Sequence, residues 1–260
     1  MTALSPTTEE DARLAASQLT TSLLLAEVVP GPGWDPHVPP VSLRLGLAEC
    51  CLLEGLAVQP ADLLLRTAAT LAPPVAGRLY HWGRDLVPLP RRRLYPWRRR
   101  LAFISPGHSL LPRLTLEENL NLSQVLTTQQ RLGDVAQRHG SLLTQLGLTP
   151  YLRLYPRQLP PREYQLALWA RELVKEPRLI LGVLAGQEEL YGIPELIPRL
   201  FPFLAEYHQN RRGAILLAGP WLAPAYGLAD RRLVLQADRW QTESLPRRHP
   251  QPLAAYLKIL

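Results

Sequence analysis

The chain has 260 residues, enough for one large domain or two small ones with a well-filled core. Hydrophobic residues make up 47% and charged residues 20%, a balance that excludes a disordered chain. The net charge of +7 permits contact with anionic lipid or nucleic acid without choosing between them. No leader sequence or membrane-spanning apolar run is visible, and the adjacent Cys50 and Cys51 do not form a disulfide framework. We therefore expect a protein of the reducing cytoplasm.

The first part of the chain alternates apolar runs with proline-rich loops. Residues 1–21 are polar and are expected to form an N-terminal extension with a short helix over residues 9–19. Apolar runs predict strands over residues 22–29, 41–45, 50–53 and 101–104. Helical spacing over residues 61–71 predicts a helix that the following pair of prolines ends.

In the rest of the chain, the spacing of the apolar residues changes twice. Helical apolar spacing over residues 116–126, 132–146 and 164–174 predicts a helical subdomain at about residues 112–174. Strands are then predicted over residues 179–184, 214–218 and 232–236, with a helix over residues 195–208 after the first of them. This alternation predicts an α/β domain over residues 22–240 with a mostly parallel sheet. Residues 241–260 are expected to form a C-terminal tail.

Several short motifs follow one another in a fixed order. They are Val41-Ser42-Leu43 with Glu49 and Gly55, Leu110-Leu111-Pro112 with Glu118-Asn119, Tyr155-Pro156 with Ala170-Arg171, and Ala229-Asp230-Arg231. In this order and spacing the chain resembles the nucleotide-binding domain of ATP-binding-cassette (ABC) transporters over about residues 22–241. The resemblance implies a P-loop NTPase-like core, with a mostly parallel sheet, an antiparallel β portion and an inserted helical subdomain.

The resemblance also implies where nucleotide would bind. The glycine-rich phosphate loop of the family would begin at Gly55, and its later glycine positions hold Val58 and Pro60. The lysine position is Ala61, and the magnesium-binding Ser or Thr position is Asp62. Pro60 has no N–H to donate to phosphate, and a carboxylate at position 62 would repel it. This loop is not expected to hold ATP tightly.

Other positions that carry the family's chemistry have changed as well. The residues found there are Pro106 for the magnesium-binding Gln, Val183 and Leu184 for the acidic pair, Leu190 for the D-loop Asp, Pro220 for the phosphate-sensing His, and Pro160 and Pro161 within the signature motif. The sequence therefore predicts a pseudo-ATPase that is not an enzyme. We expect no catalytic residue, no metal site, and neither ATP nor Mg²⁺ as a cofactor.

Two segments are candidate contact surfaces. His108, Leu110 and Leu111 lie where the resemblance implies docking on a membrane permease subunit. The run from Arg91 to Arg100 holds six arginines and two aromatic residues. It is interpreted either as a solvated surface segment or as a binding site for phosphates, including those of anionic lipid.

The leading functional hypothesis is a non-catalytic scaffold or regulator of a membrane transport complex. Such a subunit would lie in the cytoplasm, peripheral to the inner membrane, as part of a homo- or heterodimer of ABC-like domains. His249-Pro250 and Tyr256-Leu257 resemble the tail of cassettes in MCE-type lipid-transport systems, which favours lipid transport. One alternative is an ATP-binding subunit with an unorthodox ATPase site. The other is a basic nucleic-acid-binding module, the less favoured partner class.

Overall fold

The computed structural model describes residues 20–128, 135–184, 193–210, 213–220 and 222–246. Its strands are β1 (Thr21–Val29), β2 (Val41–Gly46), β3 (Cys50–Glu54), β4 (Ala76–His81), β5 (Arg84–Asp85), β6 (Leu101–Ile104), β7 (Leu179–Val183), β8 (Ala214–Ala218), β9 (Arg231–Gln236) and β10 (Arg239–Ser244). Its α-helices are α1 (Val58–Ala68), α2 (Arg91–Arg98), α3 (Leu116–Thr128), α4 (Val135–Arg138), α5 (Gly140–Gln145), α6 (Pro161–Leu173) and α7 (Ile193–Gln209). Short 3₁₀ turns cover Thr149–Tyr151, Pro156–Gln158 and Ala223–Ala225.

The strands form two sheets. The smaller sheet has the order β2-β1-β4-β5 and its strands pair antiparallel. The larger has the order β10-β9-β3-β8-β7-β6, in which only the β10–β9 pair is antiparallel among the described strands. The α/β class, with a mostly parallel sheet and a separate antiparallel portion, is therefore confirmed.

Helix α1 lies between the two sheets. Its buried face, which includes Leu64 and Leu65, belongs to one apolar cluster with Leu25 of the small sheet and Leu181 and Leu216 of the large sheet. Ala61, Leu64 and Leu65 on this face are fully buried, so the position of the helix relative to the strands is set by close packing. The loop that precedes α1 is held against the ends of the parallel strands by this packing.

The opposite face of the large sheet is covered by the helices inserted between β6 and β7 and by α7. Leu120 of α3, Leu166 and Trp169 of α6, and Leu204 of α7 pack together over Ile180. Gly182 on β7 lets Trp169 approach, because a Cβ there would lie 2.8 Å from its ring. The helices predicted within residues 112–174 thus cover the core strands.

The structure differs from the sequence expectations in several elements. Helix α1 begins at Val58 rather than at Ala61. The helix expected over residues 132–146 is divided, in its described part, at His139, whose φ of −119° and ψ of 25° are not helical. Strands β4, β5 and β10 and helix α2 were not predicted, and β10 crosses residue 241, where the tail was expected to begin. The helix expected over residues 9–19 lies outside the described residues.

None of the helices in the described ranges is long and apolar enough to cross a membrane.

Candidate nucleotide-binding site

The carboxyl ends of strands β3, β7 and β8 meet at one edge of the parallel sheet, the edge where α/β proteins bind ligands. Gly55 follows β3 there with a φ of +92°. A Cβ at this position would lie 2.9 Å from both the Cβ and the carbonyl oxygen of Leu235. The first glycine of the expected loop is therefore required by the turn and by the close approach of β9.

The phosphate-loop segment is shorter than the resemblance implies. Because α1 already begins at Val58, only residues 55–57 separate it from β3. Val58 and Pro60 thus lie in the first helical turn instead of a loop around phosphate. Ala61 is fully buried, and its N–H donates to the carbonyl of Ala57 at 3.1 Å. The lysine position consequently faces the core.

The start of α1 nevertheless keeps an electropositive character. Ala57 occupies the N-cap position without a side-chain hydrogen bond, and no acidic residue lies in the first turn. The N–H groups of Val58 and Gln59 are the donors that remain, because Pro60 has none. The helix dipole favours an anion at this end.

Both carboxylate oxygens of Asp62 accept hydrogen bonds from other residues of the chain. Its Oδ2 accepts a hydrogen bond from Nε of Arg66 at 2.5 Å, and its Oδ1 accepts one from the hydroxyl of Ser105. Ser105 directly precedes Pro106, so this bond joins α1 to the turn after β6. The guanidinium of Arg66 also lies 6.0 Å above the ring of Phe103. A protein ion pair thus occupies the expected magnesium-binding position.

The end of β7 is apolar. Val183 and Leu184 are 5% and 3% exposed, and the N–H of Leu184 donates to the carbonyl of Ala218 at 2.8 Å. Pro220 lies exposed beyond β8. The structure brings these positions to the same edge of the sheet as Gly55, without a carboxylate or imidazole among these three. Leu190 lies outside the described residues.

A polar network that the sequence did not reveal lies at the same edge. Glu54, the last residue of β3, accepts hydrogen bonds from the hydroxyl of Tyr226 and from Nη1 of Arg232, the latter at 2.8 Å. Arg232 also pairs with Glu243 at 2.7 Å and lies 5.2 Å from the Tyr226 ring. Burial raises the pKa of the Tyr226 hydroxyl, and the bond to Glu54 raises it further.

The signature segment begins helix α6. Pro160 is the N-cap and Pro161 the first helical residue, a position that tolerates proline. Glu163 lies in the first turn of this helix, and its side chain is only 2% exposed. Its Oε1 lies 2.5 Å from Nη2 of Arg162 and 3.5 Å from Nη1 of Arg199. These two cations explain how a carboxylate is buried there.

The candidate permease-docking residues divide between surface and core. Leu111 is 48% exposed, whereas Leu110 is 2% exposed and packs in the core. His108 is half-buried with its ring edge-on to Phe103, and burial lowers the pKa of its imidazole. Buried Asn119 bonds both the N–H and the carbonyl of Leu111, at 2.7 and 3.2 Å, which fixes the segment's backbone.

Arg91 to Arg98 form helix α2, and most residues of the run up to Arg100 are exposed or half-buried at the surface. Leu94 faces the core, and Trp97 stacks on Trp82 with ring centroids 6.0 Å apart. Arg100 lies 5.9 Å from each of these two rings. Among the described residues, none of the six arginines pairs with a carboxylate.

No family model matches the chain. It is 28% identical over 219 residues to the lipoprotein-releasing system ATP-binding protein LolD 1 of Chlorobium luteolum, covering 82% of this chain and 91% of that protein. It is 27% identical over 208 residues to the methionine import ATP-binding protein MetN of Mesorhizobium japonicum, covering 80% of this chain and 56% of MetN. Among solved structures, the ATP-binding cassette MJ0796, a dimer bound to ADP and Pi, matches with a TM-score of 0.73 and 18% identity over 86% of this chain.

The chain has the fold of ABC transporter nucleotide-binding domains, and its sequence is similar to those of ATP-binding proteins of such transporters. A second structural neighbour, described as the ATP binding subunit of an ABC transporter, has a TM-score of 0.69 and 22% identity over 86% of this chain. The resemblance read from the ordered motifs is thus confirmed. The chain aligns with only about half of MetN, the longer of the two relatives named above.

Two expectations from the sequence are wrong in the light of these relatives. The chain was expected not to be an enzyme and to take no cofactor, yet the relatives are ATP-binding proteins and MJ0796 was solved with ADP and Pi. A changed side chain does not by itself remove the site that the backbone forms. The helix dipole at the start of α1 and the converging strand ends belong to the backbone and persist, although Pro60 removes one N–H donor.

The side chains present still do not fit a magnesium-bound triphosphate in the manner that the resemblance implies. Asp62 is bonded to Arg66 and Ser105, and the lysine position is buried Ala61. Within the described part of the chain, no group of three His, Cys, Asp or Glu side chains is placed to hold a metal ion. Nucleotide at this edge would therefore need contacts other than those of the family.

Proposed function

We propose that this chain is the ATP-binding subunit of a membrane transport complex, with a nucleotide site of unorthodox composition. The observation that carries the proposal is the match to LolD 1, which extends over 91% of that ATP-binding protein and 82% of this chain. The domain is thus similar over nearly its whole length, and not in one motif alone.

The start of α1 is the proposed place for the nucleotide phosphates. Its uncapped N–H groups at Val58 and Gln59 face the edge where the parallel strands end. Arg232 supplies a cation at the same edge, although Glu54 and Glu243 share its charge. Asp62 opposes phosphate, and its pairing with Arg66 reduces that repulsion.

The proposed permease contact is the segment around His108 and Leu111. Exposed Leu111 offers apolar surface on a backbone that Asn119 holds in place, an arrangement suited to a preformed docking surface. Leu110 contributes by packing beneath the surface, where its N–H also bonds the Tyr164 hydroxyl at 3.2 Å. The partner would be a membrane permease subunit, with a second ABC-like domain completing the dimer.

Thermal unfolding of the purified chain with and without millimolar Mg-ATP tests the nucleotide half of this proposal. A ligand present at 100 times its Kd stabilises the native state by about 2.7 kcal/mol, which raises the melting temperature by about 5–10 °C at this size. The variant Asp62→Ser should increase the shift, because it removes the carboxylate that opposes phosphate. Asp35→Asn, a charge change in the exposed loop after β1, should leave the shift as it is.

Absence of any shift in the melting temperature, in both the natural chain and Asp62→Ser, would reject ATP binding at this site.

The proposed contact with a permease subunit has its own test. Leu111→Asp should release the chain from the membrane fraction of the source cell, whereas Leu47→Asp, at another exposed leucine, should not. Retention of Leu111→Asp on the membrane would contradict the docking surface. Lipid as the cargo stays a prediction, because the tail motifs at His249 and Tyr256 lie outside the described residues.

A further inference from the structure

A cleft of about 260 Å³ opens at the end of α1 opposite to the candidate nucleotide site. Its walls are the turn that follows α1, strand β4, the loop after β5, and one side of α2. Neither the nucleotide edge nor the docking segment around Leu111 contributes to it. The cleft is therefore a separate feature of the domain.

The lining of the cleft is largely apolar. Leu79, Leu86 and Leu94 form its floor and are 2%, 2% and 9% exposed. Leu71 and Val87 line it as well and are 41% and 43% exposed. Large apolar side chains that stay open to water around a concavity are a feature of binding sites.

Two arginines provide the charge of the cleft. Arg91 and Arg98 both line it, and no carboxylate does among the residues that the structure describes. Nε of Arg98 bonds the hydroxyl of Thr70 at 3.1 Å, and its guanidinium also contacts the Thr70 carbonyl. Burial lowers the pKa of Arg98, and the nearby charge of Arg91 lowers it further. Neither arginine forms an ion pair with a carboxylate in the described part of the chain, and two such like charges attract an anion to the rim of the cleft.

We propose that this cleft binds a small amphiphilic anion, a single alkyl chain that carries a carboxylate or phosphate head. The chain would lie on Leu79, Leu86 and Leu94, and the head would pair with Arg91 at the rim. The volume lies just below the roughly 300–1,000 Å³ typical of pockets for drug-sized ligands, so it suits one chain and not a two-chain lipid. The inference does not depend on the proposed transport function.

Calorimetric titration of the full chain with hexanoate, octanoate, octyl phosphate and octyl glucoside tests this proposal. Each buried methylene should strengthen binding about fourfold, so octanoate should bind about sixteenfold more tightly than hexanoate. Octyl glucoside has the same chain with a neutral head and should bind more weakly than both octyl anions. Tighter binding of octyl phosphate than of octanoate would identify a phospholipid fragment as the source, and the reverse order a fatty acid.

A matched pair of arginine variants locates the head group. Arg91→Gln should weaken octanoate binding about fivefold, the effect of losing one ion pair near the surface. Arg92→Gln removes the same charge from the same helix but does not line the cleft, and should leave the Kd unchanged. Both positions are exposed, so neither variant should lower the melting temperature.

Three results would overturn the proposal. They are affinity that is independent of chain length, equal affinity for octanoate and octyl glucoside, and equal weakening by the two arginine variants. Binding of the protein to anionic vesicles without measurable binding of octanoate or octyl phosphate would also overturn it. In that case the arginines of α2 would contact head groups at a membrane surface and the cleft would have no part.

Discussion

The two ends of helix α1 differ in how their backbone groups are satisfied. At the C-terminal end, Nε2 of His81 bonds the carbonyl of Ala68 at 2.8 Å, and Arg98 bonds the carbonyl and hydroxyl of Thr70. At the N-terminal end, Ala57 provides no cap and Pro60 provides no N–H. The same helix thus has one end closed by side chains and one end open.

Because of this difference, the C-terminal end of α1 contributes to the stability of the fold, whereas its N-terminal end is available for binding. Side chains that bond the last carbonyls of a helix fix its end and add to the free energy of unfolding. Uncapped N–H groups at the first turn contribute nothing to stability, but they are available to an anion. We therefore expect changes at the C-terminal end of α1 to destabilise the fold. Changes at its N-terminal end should alter binding and can stabilise the fold.

The largest expected effect concerns pH and His81. This imidazole is fully buried, and burial lowers its pKa from 6.5 to about 4. A carbonyl can only accept, so Nε2 is the donor, and because of the lowered pKa the ring is neutral at pH 7. The unfolded chain takes up the proton at a higher pH than the folded chain does. The stabilisation is therefore complete above pH 6.5 and is lost as the pH falls towards 4, by about 2 kcal/mol between pH 7.5 and pH 5.

Urea unfolding at a series of pH values measures this contribution. In His81→Gln, which does not titrate, the free energy of unfolding should fall less steeply between pH 7.5 and pH 5. His37→Gln, at an exposed histidine, should keep the slope of the natural chain. If His81→Gln kept that slope too, the pH dependence would originate elsewhere.

The next effect concerns Arg98. Replacing it with Gln removes a charged donor from the Thr70 carbonyl and a cation from the C-terminal end of the helix dipole. We expect a loss of about 1–2 kcal/mol in the free energy of unfolding. Denaturant unfolding at neutral pH measures it, with Arg92→Gln, an exposed arginine of the same helix α2, as the control. Equal stability of the two variants would show that the closed end of α1 does not need Arg98.

The sequence predicted the framework well because the apolar runs are strong and locally consistent. The strand expected over residues 50–53 and the helix expected over residues 164–174 lie within two or three residues of β3 and α6. Strand β4 was missed because it begins with the exposed residues Ala76, Gly77 and Arg78, which carry no apolar pattern. Its position depends on pairing with β1, a contact between distant parts of the chain.

For the candidate site, the sequence predicted which residue positions belong to it but not the contacts among its side chains. The ordered motifs assigned Gly55, Asp62 and Val183 to positions of the nucleotide site, and the structure places Gly55 and Val183 at the carboxyl ends of β3 and β7. Glu54 and Arg232 are 178 residues apart, so no local pattern could reveal their pairing. The expected absence of enzyme activity and cofactor was wrong because side-chain identity does not report the backbone groups at the start of α1.

The smallest expected effect is at the open end of α1 and has the opposite sign. Ala57 has a φ of −64° and a ψ of 168°, an extended conformation that suits an N-cap residue. Ala57→Ser would place a hydroxyl where it can accept from the N–H of Gln59, and should raise the free energy of unfolding by about 0.5–1 kcal/mol. Ala57→Val, an equally poor cap, should bring no such gain. Denaturant unfolding of the three chains measures this difference. The serine hydroxyl would accept from the N–H of Gln59, which is one of the donors proposed for phosphate, so Ala57→Ser should also reduce the stabilisation by Mg-ATP. A larger stabilisation would show that this helix end does not contact the nucleotide.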